Sequence, residues 1–115
     1  MDNRITYTNC GKTYDLDLVR ATYANNGNLA VVAFVADTHE RYGNITVNLD
    51  ELASPLACID TNNMQGIFEI LLESGLVENT GYTMESGFCT YPIASFDLVK
   101  LPDYEEYLNK TGCKE

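Results

Sequence analysis

The apolar positions of this chain change period along its length, and the elements follow from that change. Ile5 and Tyr7 alternate with polar residues and run into Cys10-Gly11, the pattern of a short strand entering a turn. Tyr14, Leu16 and Leu18 alternate with Asp15, Asp17 and Val19, which predicts a half-buried strand with both aspartates on its solvated face. Asn25-Asn26-Gly27-Asn28 is a turn signal, because Asn and Gly tolerate positive φ at little cost. Leu29 to Val35 is almost continuously apolar and reads as a central strand covered on both faces. Asp37 to Arg41 with Tyr42-Gly43 predicts the next reversal, and Ile45, Val47 and Leu49 predict a fourth strand. Four strands joined by short turns make an antiparallel meander the economical arrangement.

Then the period shifts. Met64, Ile67, Phe68, Leu71 and Leu72 fall at i, i+3, i+4, i+7 and i+8, one apolar stripe of a helix. Thr61, Asn62 or Asn63 can cap its start and Gly75 its end, leaving Gln65, Glu69 and Glu73 toward water. A polar loop is expected from Gly75 to Ser86-Gly87. Phe88 to Tyr91 and Ile93 to Leu98 read as strand, and Pro92, lacking an N–H, places that strand at an edge or gives it a bulge. Pro102 opens a short helix with Tyr104, Tyr107 and Leu108 on one side, and Gly112 is its expected stop. The fold class is therefore α+β. Residues 1–115 form one domain with a meander sheet of about four to five strands, one packed amphipathic helix and a short C-terminal helix.

Length and composition permit this without outside help, since 115 residues can bury a core unaided by metal or disulfide. The longest apolar run, Leu29 to Ala36, is far short of a membrane span, and no cationic start precedes a hydrophobic segment. The expected location is cytoplasmic, with reduced thiols. Cys58 and Cys89 sit in apolar contexts and read as core, while Cys10 and Cys113 stand beside glycines nearer the surface. No two cysteines are close enough in sequence to supply paired zinc ligands, and His39 neighbours none of them, so no metal or other cofactor is expected.

Charge changes the picture more than any motif. The formal net charge is −10, which excludes a general nucleic-acid-binding surface. Between Arg41 and Lys100 there is no Lys or Arg, yet the interval holds Asp50, Glu51, Asp60, Glu69, Glu73, Glu78, Glu85 and Asp97. Such asymmetry suits either solubility alone or an acidic face that meets a basic protein partner. Glu69 and Glu73 stand one helical turn apart, about 6 Å along the axis, close to the spacing of phosphates on a DNA strand. The partner-binding candidates are Glu69, Glu73, Asp50, Glu51, Glu78 and Glu85, with Tyr91 as an aromatic anchor for a second reading, a small-ligand or peptide module at the edge strand.

Catalytic patterns are weaker. Asp15 and Asp17 would both stay ionised on a solvated face, and Asp60-Thr61-Asn62-Asn63 lacks the spaced carboxylates of a calcium loop. A Cys–His pair would need His39 to meet a cysteine in space, and Ser86-Gly87 leads into a strand rather than a phosphate-binding helix. No enzyme is expected, a cysteine nucleophile being the remote alternative.

Asn26-Gly27-Asn28-Leu29-Ala30, Asp60-Thr61-Asn62-Asn63, and Ser86-Gly87-Phe88-Cys89-Thr90-Tyr91-Pro92 with Phe96-Asp97-Leu98 resemble a family of small acidic bacterial proteins. That family is a domain of unknown function carried largely on plasmids, phages and conjugative elements. The resemblance spans nearly the whole chain, and Ser86 to Pro92 is its most specific part. It implies no catalytic residue. It implies an accessory role in mobile-element biology, such as inhibition of CRISPR nucleases or restriction enzymes, whose basic channels an acidic protein could occupy.

Overall fold

A computed structural model describes residues 3–111, and these form two four-stranded antiparallel sheets and two helices. β1 (Arg4–Asn9) and β2 (Lys12–Thr22) are joined by Cys10-Gly11, both at positive φ (53° and 78°), the two-residue turn whose twist matches the strands. β3 (Leu29–Val35) and β4 (Arg41–Asn44) complete the first sheet in the order β1-β2-β3-β4, a meander whose first three strands are those expected and whose fourth falls where a reversal was expected. The last reversal is tighter than the polar run suggested. Val35 and Glu40 close it (N–H to carbonyl, 2.8 Å), and Tyr42 and Gly43 already lie inside β4.

Beyond β4 the chain changes sheets at Ile45. Its N–H donates to the Val31 carbonyl at 2.8 Å, and its carbonyl accepts from Asp60 N–H at 2.9 Å, so one residue is hydrogen-bonded into both layers. β5 (Thr46–Val47) then belongs to the second sheet, with β6 (Leu56–Ile59), β7 (Val77–Ser86) and β8 (Cys89–Phe96) in the order β5-β6-β8-β7. The stretch from Ile45 to Leu49 is thus a corner rather than a fourth strand of the meander.

The inner faces of the sheets share one core. Leu16, Leu18, Val31 and Ala33 of the first meet Ala57, Ile59, Ala94 and Phe96 of the second, together with Ile67 and Leu71 of α1 (Ile67–Ser74). α1 touches β1 and β7, an edge strand of each sheet, and covers the side between them. It begins later than its apolar stripe predicted. Thr61–Asn63 form a turn in which Asp60 accepts from the Asn63 N–H (3.3 Å), and the N-cap is Gly66 in the left-handed conformation, with no side-chain cap. Gly75 ends the helix as expected.

α2 (Tyr104–Thr111) packs Tyr104, Tyr107 and Leu108 on the opposite face of the first sheet, against Val19, Val32 and Phe34. β3 is therefore covered on both faces, as its continuous apolar run requires. Gly112, the expected stop of α2, and Cys113 lie outside the described residues.

Two further expectations are overturned. The polar segment after Gly75 is not a loop but β7, ten residues at the edge of the second sheet. Pro92 does not sit in an edge strand, because β8 lies between β6 and β7. The bulge that was the other expectation lies in the neighbouring strand and not at Pro92 itself. β6 pairing ends at Cys58–Ile93, and β7 bulges between Asn79 and Thr83, opposite Ile93. Gly81 (φ +82°) supplies the left-handed residue of the bulge, and the Thr80 hydroxyl bonds the Ile93 carbonyl at 2.7 Å.

Among the described residues no helix is long and apolar enough to cross a membrane.

Candidate interaction surfaces

The helix that buries Ile67 and Leu71 necessarily turns Glu69 and Glu73 outward, and both are exposed. The other carboxylates are placed by different elements. Glu78 pairs with Ser95 and Glu85 with Thr90. Those partners stand an odd number of residues apart on β8, so the two glutamates project from opposite faces of the sheet. Asp50 and Glu51 lie in the exposed connection between β5 and β6. Buried Asn28 ties that connection down, its amide donating to the Asp50 carbonyl (2.9 Å) and its oxygen accepting from Leu52 N–H (3.0 Å). The asparagines read as a turn therefore also anchor an acidic loop. The structure brings Glu69 and Glu73 onto one helical face and does not put all six carboxylates on one surface.

All six are nevertheless exposed, and among the described residues none of them forms an ion pair; the pairs found are Arg4–Asp17, Arg20–Asp103 and Lys100–Asp97. Tyr91 does not present itself to a partner. It is 8% exposed and packs with Cys58, Ile93 and Met84 on the outer face of the second sheet. The exposed aromatics are instead Tyr82 on β7 and Phe88 at the β7–β8 turn.

A second feature was not expected. Asp17 is 3% exposed, not solvated, because α2 covers the face of β2 that carries it. Arg4 grips it through Nε–Oδ1 (2.7 Å) and Nη2–Oδ2 (3.2 Å), and the Tyr107 hydroxyl donates to Oδ2 at 3.3 Å. The carboxylate in turn raises the Arg4 guanidinium further above its ordinary value, through the hydrogen bond and its charge. α2 is held in place by its start. Asp103 accepts from Glu105 N–H (3.1 Å) and Glu106 accepts from Asp103 N–H (3.3 Å), a reciprocal cap. Arg20 adds an Nε bond to the Leu101 carbonyl (3.1 Å) just upstream. Between α2, β1 and the β3–β4 turn lies a cleft of about 520 Å³ lined by Arg4, Asp17, His39, Pro102, Tyr107 and Lys110 among others. One signal pointed to it: the Tyr104, Tyr107 and Leu108 stripe needed an apolar surface, and β3 was read as covered twice.

Among the described residues no three His, Cys, Asp or Glu side chains gather as metal ligands. Burial pushes the Cys58 thiol and the Tyr7 phenol above their ordinary 9.0 and 10.0. Each is neutral when protonated, so the folded chain keeps these protons to higher pH than the unfolded chain. Their contribution to stability is complete below the unfolded values and is lost as pH rises through the raised folded ones. Urea midpoints are expected to fall above pH 9, and Cys58→Ala to remove part of that fall; a midpoint that rises through this range contradicts the assignment.

A family model described as Domain of unknown function (DUF4313) matches residues 16–113. No curated protein and no solved structure matches the chain.

Proposed function

The chain belongs to the DUF4313 family of domains of unknown function, which brings no activity with it, and we propose that it is a non-enzymatic interaction protein that binds a basic protein partner through exposed carboxylates centred on Glu69 and Glu73. The observation that supports this is the exposed, un-neutralised set Asp50, Glu51, Glu69, Glu73, Glu78 and Glu85 in a stretch without Lys or Arg. Glu69 and Glu73, fixed on one rigid helix, are its centre. Unpaired surface charge of one sign steers association and gives it a steep salt dependence.

In its finer form the reading is that of an accessory protein of a plasmid, phage or conjugative element. It would act in the cytoplasm against a nucleic-acid-handling enzyme such as a CRISPR or restriction nuclease. The support is the resemblance of sequence and the phosphate-like spacing of Glu69 and Glu73. Such a partner holds nucleic acid in a basic channel, which the carboxylates would fill.

Tagged protein is incubated with bacterial lysate at low and moderate salt, beside the Glu69→Lys/Glu73→Lys variant, and captured proteins are identified by mass spectrometry. The expected result is a basic nucleic-acid enzyme released by salt and absent with the variant, whose own stability is unchanged because both residues are exposed. Capture insensitive to salt and to charge reversal overturns this reading. It favours the second one, peptide addition along the free edge of β7, which the exposed Tyr82 and Phe88 support.

A further inference from the structure

We infer that the cleft beside α2 binds a small organic anion, its carboxylate or phosphate held by Arg4 and Lys110 and its planar body lying against Pro102, Tyr107 and His39. This site is separate from the acidic surface and does not rest on it. The chain carries a net charge of −10, yet Arg4, Lys110 and its single histidine converge here.

Of the cleft's two acids, Asp17 is fully engaged and Glu106 partly. Both oxygens of Asp17 are engaged, Oδ1 by Arg4 Nε and Oδ2 by Arg4 Nη2 and the Tyr107 hydroxyl. Glu106 spends one oxygen on the Asp103 N–H. Arg4 is not used up in return. A guanidinium has five N–H donors, and its side chain here is 43% exposed. Gripped on one edge by a buried carboxylate, it offers the other edge in a fixed direction and loses little rotamer freedom on meeting an anion. Lys110, in the last turn of α2, adds a second positive charge at the rim.

The cleft's ring-bearing lining suits a planar body. His39 sits at φ +62° in the β3–β4 turn, a position that glycine adopts without strain. The imidazole meets the Tyr107 ring edge-on at 6.2 Å. Strained backbone of this kind concentrates at binding sites. The volume of about 520 Å³ accommodates a charged head with an attached ring system.

Full-length ¹⁵N-labelled protein is titrated with benzoate, adenosine 5′-monophosphate and inorganic phosphate. Saturable shifts at Arg4, His39, Tyr107 and Lys110 are expected with benzoate or the nucleotide, and whichever saturates identifies the head group. Inorganic phosphate, having no planar body, should bind at least about tenfold more weakly. Lys110→Gln leaves the Asp17 cluster untouched and should weaken binding about tenfold. Arg4→Gln/Asp17→Asn keeps a neutral hydrogen-bonded pair, so its loss of binding with retained fold also supports the site. No saturable shift with any probe up to about 10 mM overturns the inference. Binding unchanged in Lys110→Gln, or phosphate binding as tight as the organic probes, overturns it equally.

Discussion

Arg4→Leu is expected to lower the unfolding free energy by about 3 kcal/mol, a large share of the ~5–15 kcal/mol typical of a domain. The cost does not come from the lost ion pair as such, since the attraction within a buried pair is largely offset by the desolvation of its charges. It comes from what remains. Asp17, 3% exposed, would be left, among the described residues, with the Tyr107 hydroxyl as its remaining side-chain donor. Urea denaturation should show a lower midpoint at unchanged slope. Arg4→Leu/Asp17→Leu should recover most of the loss, because a buried pair replaced by apolar side chains is often neutral. A single variant within about 0.5 kcal/mol of wild type would mean that Asp17 is reached by water.

The same residue marks the boundary of what the sequence made legible. The alternation Tyr14, Leu16, Leu18 correctly assigned the core face of β2, and by exclusion it gave Asp15 and Asp17 to solvent. Asp15 is exposed, and its oxygen accepts from the neighbouring Thr6 hydroxyl. Asp17 was misassigned because a strand's period reports its two faces and not what covers each. The cover is α2, about ninety residues away in sequence. Long, strongly periodic pieces were readable: the first three strands of the meander, Leu29 to Val35 among them, and the α1 stripe with its Gly75 stop. β7 was not, because an edge strand with Glu78, Asn79, Thr83 and Glu85 has too little buried area to impose alternation, and its bulge breaks what period remains. The acidic set was identified residue by residue, but its geometry was not. Opposite faces for Glu78 and Glu85 follow from register, which composition does not carry.

Leu71→Ala is the second large effect, expected to cost about 2–5 kcal/mol. Leu71 is fully buried in the core that both sheets share. The methyl groups removed leave a space that two hydrogen-bonded sheets can close only partly. Because α1 is eight residues long, it has little helical stability of its own and depends on this contact. Hydrogen exchange should therefore accelerate in α1 and along β1 and β7 before the rest of the molecule. Uniform acceleration everywhere would mean that α1 unfolds only with the whole chain. Glu69 and Glu73 ride on this helix, so the variant should also weaken any partner binding that they mediate.

Ile45 has a mechanical consequence. Layers joined only by side-chain packing can slide past one another, as helices do in shear motions. Here a single peptide segment is bonded at its N–H to the first layer and at its carbonyl to the second. Translation of either layer would break one of those bonds, whereas a small rotation about Ile45 would break neither. Val31 N–H also donates to the Thr46 hydroxyl (3.2 Å), and Asn28 holds the β5–β6 connection, so the corner is stitched at several points and resists sliding there. The edges farthest from that corner are β1 and β7, and α1 spans them.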